Sequence, residues 1–177
     1  MAHLFRETLN SQSRLTFLVF LGMVSVIATV LAFEHLGGYI PCALCLEQRT
    51  PYYIGIPIAF FALLAIAMKW PSILVRVALT ICGLLVLWSL GLAAYHSGVE
   101  WAWWSGPSEC TATASNNSAV TSAKNLLDQL SFSKPPACDQ AAGRFLGLSF
   151  AGWNVVVSAI IAFLAFRGAM LTTAKIN

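Results

Sequence analysis

Long apolar stretches, punctuated by single charges, run through most of the chain. Four gaps between charged residues stand out: Leu15–Phe33, Thr50–Met68, Val77–Val99 and Phe145–Phe166. A helix needs about 20 apolar residues to cross roughly 30 Å of hydrocarbon, and a charge at the bilayer centre is costly, so each gap predicts one spanning helix. The expected fold is an all-α membrane protein, one domain over 1–177, built as a four-transmembrane-helix bundle. Its spans lie at about 15–33, 50–68, 77–99 and 145–166, with outer loops at about 34–49 and 100–144.

Charge orients the bundle. Four spans put both termini on one side, with the Lys69–Arg76 turn. That side carries Arg6, Arg14, Lys69, Arg76, Arg167 and Lys175 against Glu7, a net +5. The opposite side carries Arg49, Lys124, Lys134 and Arg144 against Glu34, Glu47, Glu100, Glu109, Asp128 and Asp139, a net −2. The positive-inside rule then predicts cytoplasmic termini and outward-facing loops. Composition agrees: 58% of the 177 residues are hydrophobic and only 10% charged, against about 25% charged in an ordinary soluble domain. The basic residues are scattered, which argues against a nucleic-acid partner. The first apolar run exceeds a signal-peptide core and has no small-residue cleavage site before Glu34, so it is expected to be retained.

The second loop breaks the pattern. Ser, Thr, Asn and Ala dominate from Ser105 to Ala123, and Leu126, Leu127, Leu130 and Phe132 then recur at helical spacing. That spacing suits either a short amphipathic helix on the membrane surface or a loop packing back on the bundle. Pro135-Pro136 predicts extended chain before Cys138. Trp101, Trp103 and Trp104 read as an interfacial belt, with partner docking as the alternative. Pro51 and Pro57 are candidates to kink the second span and make room near Arg49. Asn116-Asn117-Ser118 matches a glycosylation acceptor and carries no meaning in a bacterial protein.

Five cysteines supply the chemistry. Cys42 and Cys45 form a C-x-x-C, Cys110 and Cys138 lie in the second loop, and Cys82 sits inside the third span, where packing is its expected role. Two structural disulfides would account for the four outer cysteines. Redox chemistry is favoured by the C-x-x-C spacing and by its place at a helix N-terminus, whose partial positive charge favours a thiolate. Arg49, four residues beyond Cys45, acts in the same sense. A zinc site from the four sulfurs competes poorly, because the second pair is not a C-x-x-C, so no metal is expected.

The ordered set Pro41-Cys42-Ala43-Leu44-Cys45, Gln48-Arg49, Tyr95-His96, two cysteines in a long second loop, and Phe145-Leu146-Gly147-Leu148 resembles the bacterial disulfide bond formation protein B (DsbB) family. The resemblance implies a protein-disulfide oxidoreductase that passes electrons to a quinone, ubiquinone or menaquinone. It implies a periplasmic thioredoxin-like oxidase of the DsbA type as partner. Catalysis would then run through Cys42, Cys45, Cys110 and Cys138. Cys110 forms the mixed disulfide, Cys138 attacks Cys42, and Cys45 faces the quinone, beside Arg49 and His96. Left to the residues alone, His96 reads as an interfacial polar side chain. Glu47 departs from the pattern, because an inward acid would oppose the thiolate; at i+2 from Cys45 it should point elsewhere. Two rival readings stay open. One is a vitamin-K-epoxide-reductase-like membrane thiol/quinone oxidoreductase, disfavoured by cysteine order. The other is a non-enzymatic scaffold with structural disulfides.

Overall fold

In a computed structural model, residues 2–106 and 143–171 are described, with side chains from residue 11 onward. The region 107–142, which holds Cys110, Cys138 and the expected amphipathic segment, lies outside the described residues. Four long helices emerge: α1 (Ala2–His35), α2 (Ala43–Ala67), α3 (Ser72–Glu100) and α4 (Phe150–Met170). Each contains a stretch long and apolar enough to cross a membrane. They pack in cyclic order, α2 on α3, α3 on α4, and α1 closing against both α2 and α4.

Small side chains let the helices approach. Ala59, Ala62 and Ala65 recur along α2, and Ala162, Ala165 and Ala169 along α4, all buried. Without water to drive helices together, membrane bundles rely on such close backbone packing. Larger core groups fill the remaining space, with Val19 and Met23 from α1, Tyr52 from α2, and Leu79 and Val86 from α3. Cys82 is fully buried among them, and its thiol points at the Gly55 carbonyl 3.6 Å away. The outward faces carry Phe17, Leu84, Trp88, Ile160 and Phe163, exposed in the way a lipid-facing surface requires.

Helix ends are set by local hydrogen bonding. After α2, Lys69 takes a left-handed conformation (φ 57°), with Lys69 N–H on Ile66 O and Trp70 N–H on Ala65 O. Ala102 repeats this after α3 (φ 56°), with its N–H on Val99 O and Trp103 N–H on Gly98 O. Both are the paired bonds that satisfy a helix's last carbonyls, made here without glycine. The chain then folds Trp104 over Tyr95, the rings stacked at 6.0 Å and the indole N–H on Tyr95 O.

Two boundaries differ from the charge-gap reading. Helix α2 begins at Ala43, so Cys45, Gln48 and Arg49 belong to it, and it runs unbroken through Pro51 and Pro57. Helix α4 begins only at Phe150. Before it, β1 (Arg144–Phe145) and β2 (Leu148–Ser149) form an antiparallel hairpin, Arg144 opposite Ser149 and Phe145 opposite Leu148. Leu146 (φ 52°) and Gly147 (φ 84°) make its turn, the two left-handed residues that a tight hairpin needs. Ser149 then caps α4, its hydroxyl accepting the Gly152 N–H at 3.1 Å.

Candidate functional site

The start of α2, the end of α3, the start of α4 and the end of α1 meet at one end of the bundle. Cys42 is the N-cap of α2, in extended backbone (φ −78°, ψ 169°), and its Sγ accepts the Cys45 N–H at 3.3 Å. A sulfur thus stands where a serine or aspartate oxygen usually satisfies a free helical amide. The Cys45 thiol lies 2.8 Å from Cys42 Sγ, with no disulfide between them. From the last turn of α3, His96 Nε2 approaches Cys42 Sγ to 3.8 Å. The hydrogen bond from the Cys45 thiol lowers the Cys42 pKa; burial opposes it, and His96 and the Cys45 N–H add to the lowering, leaving the thiol at about 4 rather than 9.0.

His96 is held from behind. Gln48 Nε2 lies 2.9 Å from His96 Nδ1, and Gln48 Oε1 accepts from Asn154 Nδ2 at 2.8 Å. Asn154 Oδ1 in turn accepts the Tyr52 hydroxyl at 3.0 Å, and Ser158 Oγ donates to the same oxygen at 3.2 Å. Ser89 Oγ donates to the Gln48 carbonyl at 3.0 Å. The donors run in one direction through this chain and end at the imidazole, so Nδ1 accepts and Nε2 carries the proton that faces Cys42. Buried polar groups between membrane helices persist when each has a partner, and this network supplies them from α2, α3 and α4. His96 also lies 3.7 Å from the Glu100 carboxylate, one turn on. The other Glu100 oxygen is buried with no hydrogen-bond partner among the described residues.

Arg49 is buried one turn below Cys45, and its Nη1 pairs with Glu34 Oε2 at the end of α1, 2.5 Å away. A cavity of about 380 Å³ opens beside these groups. Cys45, Gln48, Arg49 and His96 line one side, and Val30, Phe33, Ile40, Phe150 and Val157 supply much of its apolar wall. Cys42, Cys45, Arg49 and His96 thus meet at this end of the bundle, while Cys110 and Cys138 lie outside the described residues. Glu34, Glu100, Tyr52, Asn154 and Ser158 were not anticipated as site residues. The signal for the two acids was present, since both mark ends of charge gaps. Asn154 is a strong hydrogen-bonding side chain inside a predicted span, which is itself a pointer to function.

The sequence matches a known family. The family model described as "Disulfide bond formation protein DsbB" matches residues 12–167. An uncharacterized protein of Rickettsia prowazekii (strain Madrid E) is 29% identical over 160 residues, covering 87% of this chain and 86% of its own. A protein of Pasteurella multocida (strain Pm70), named disulfide bond formation protein B, is 28% identical over 165 residues, covering 90% and 86%. No solved structure matches.

Proposed function

The chain belongs to the disulfide bond formation protein DsbB family, and from that premise we propose that it is a quinone-dependent thiol oxidase that reoxidises a periplasmic thioredoxin-like disulfide donor. Membership makes it a multi-pass inner-membrane protein of disulfide-bond formation with disulfide oxidoreductase activity. One observation carries the finer reading: Cys45 opens onto the same apolar-walled cavity that Arg49 and His96 line.

The cavity fits a quinone by its chemistry. Its wall is largely apolar, and its polar lining includes Arg49, Glu34, Gln48, His96 and Asn154 beside Cys45's own thiol. Arg49 and His96 would hold the ring. A bound quinone supplies a two-electron, two-proton acceptor. The protein's own residues prepare for it. Arg49 brings a permanent positive charge to the wall nearest Cys45, and Glu34 fixes the direction of that guanidinium. His96 presents an N–H to Cys42, and the Gln48–Asn154 chain keeps it so.

Upstream, the exchange steps balance as thiolate substitutions. A partner thiolate attacks Cys110 of a Cys110–Cys138 disulfide and expels the Cys138 thiolate, forming the mixed disulfide. The partner's second thiolate then releases Cys110. Cys138 attacks Cys42 of a Cys42–Cys45 disulfide and expels Cys45 as a thiolate. At each step one S–S bond forms as another breaks, so two electrons move with no net change in disulfide number. The helix-end amide and His96 stabilise charge at Cys42, while Arg49 is the cation on the Cys45 side. The outer face, on this account, is the one bearing both loops, with the termini cytoplasmic. Replacing the partner's second cysteine, which would release Cys110, tests the division of labour. A mixed disulfide between the partner and Cys110 should then accumulate on a non-reducing gel as Cys138 leaves, and its absence would overturn the assigned order.

A further inference from the structure

Cys42 Sγ, Cys45 Sγ and one imidazole nitrogen of His96 all lie within 4.8 Å of one another, two of the three residues buried. We propose that the reduced site is also a site for a thiophilic divalent cation such as Zn2+, with Cys42, Cys45 and His96 as ligands and a fourth position open. The proposal does not depend on the quinone assignment.

The donor set is the first argument. Two thiolates and an imidazole form a zinc-binding trio that leaves a fourth position open. The second is a Glu100 oxygen buried beside His96 with no hydrogen-bond partner among the described residues, whose charge a cation held by His96 would offset. Charge is the third. Arg49 lines the cavity with Cys45, and Glu34 neutralises it. The Cys42 thiolate and the Glu100 carboxylate then leave the pocket anionic, so a divalent ion enters with favourable electrostatics.

The fit requires two small changes. Zn–S bonds of about 2.3 Å in tetrahedral geometry set the sulfurs roughly 3.8 Å apart, so Cys45 must turn away from its present 2.8 Å contact, toward the cavity it lines. His96 must lose its Nε2 proton and carry it on Nδ1. The Gln48 amide, 2.9 Å from Nδ1, then reverses to accept that proton on Oε1, the outer hydrogen bond that ligating histidines generally make. On binding, Cys45 gives up its thiol proton to solvent while Cys42 is already a thiolate, and no electrons move. Cys42 and Cys45 cannot then form a disulfide, so the cation arrests the site in its reduced state until it leaves.

Cobalt is the probe. The full-length protein carrying Cys110→Ser and Cys138→Ser is reduced and titrated with Co2+ under argon. One equivalent should give thiolate-to-cobalt charge-transfer absorption and the intense visible bands of tetrahedral cobalt. Zn2+ should bleach both. The same protein with Cys42 and Cys45 oxidised should give neither. Competition with a chromophoric chelator should show Gln48→Ala weakening Zn2+ binding about 10- to 100-fold, and His96→Ala weakening it more. X-ray absorption of the zinc-loaded protein without substitutions at Gln48 or His96 should show two sulfurs and at least one imidazole nitrogen. Equal cobalt spectra from oxidised and reduced protein, or a zinc shell without imidazole, overturns the proposal.

Discussion

The Cys42 thiol offers the sharpest chemical prediction. Its pKa is held at about 4, against an ordinary 9.0, chiefly by the Cys45 thiol 2.8 Å away. At pH 7 an ordinary thiol of this kind is ionised in about one molecule in a hundred, whereas Cys42 is ionised in nearly all. Nucleophilicity falls with pKa at a Brønsted coefficient of about 0.4–0.5, which over this range costs roughly 100- to 300-fold per thiolate. The two effects nearly cancel at neutrality, so speed at pH 7 is uninformative. The signature is the pH profile. A group whose pKa is depressed stays charged until the pH falls to its folded value. Alkylation of Cys42 in the reduced protein should therefore be flat from about pH 5 to 8 and fall below about 4. An unperturbed thiol would instead gain about tenfold per pH unit across the neutral range. Replacing Cys45 with Ala removes the largest stabilising contact while burial remains, so the steep profile should return. Iodoacetamide labelling of protein carrying Cys110→Ser and Cys138→Ser, with Cys42 read by fragment-ion mass spectrometry, measures both. A steep rise between pH 5 and 8 in protein that retains Cys45 would refute the reasoning.

Other substitutions test the surrounding architecture. Glu34→Gln leaves Arg49 without its ion-pair partner; because Glu34 keeps 26% of its side-chain exposure, the loss should be about 1–2 kcal/mol, seen as a lower midpoint in thermal unfolding in detergent. Asn154→Ala strands Gln48 Oε1 and the Tyr52 hydroxyl, costing about 1–3 kcal/mol, and an unchanged unfolding midpoint would contradict the network. Gly98→Ala drives a methyl group into the Trp104 ring, so the indole must leave its hydrogen bond to Tyr95 O; tryptophan emission should shift while helix content stays constant.

The bundle was legible because charge is so costly in hydrocarbon that its absence alone outlines four spans. Helix ends were less so. A charge gap does not reveal that Leu146-Gly147 turns a hairpin, and the apolar residues from Phe145 to Leu148 pass for membrane when only charge is counted. Counting charges alone starts α2 too late, because Glu47 and Arg49 close the gap, whereas the C-x-x-C read as a helix N-terminus places the start at Cys42, which is its N-cap. Within the site, Cys42, Cys45, Arg49 and His96 were recognised from motif order, and their convergence follows from antiparallel α2 and α3 bringing one helix's start beside the other's end. Glu34 and Arg49 lie 15 residues apart across a turn. Asn154 reaches Gln48 over 106 residues. No local pattern announces either contact, because each depends on how three or four helices close into a ring.

The central claim is that electrons leave the protein through Cys45 into a quinone. Purified protein in detergent, given ubiquinone or menaquinone and a reduced thioredoxin-like protein as donor, should reduce the quinone with equimolar oxidation of the donor. Cys45→Ala should abolish quinone reduction while Cys110 still exchanges with the donor. Quinone turnover that persists undiminished without Cys45 would contradict the account.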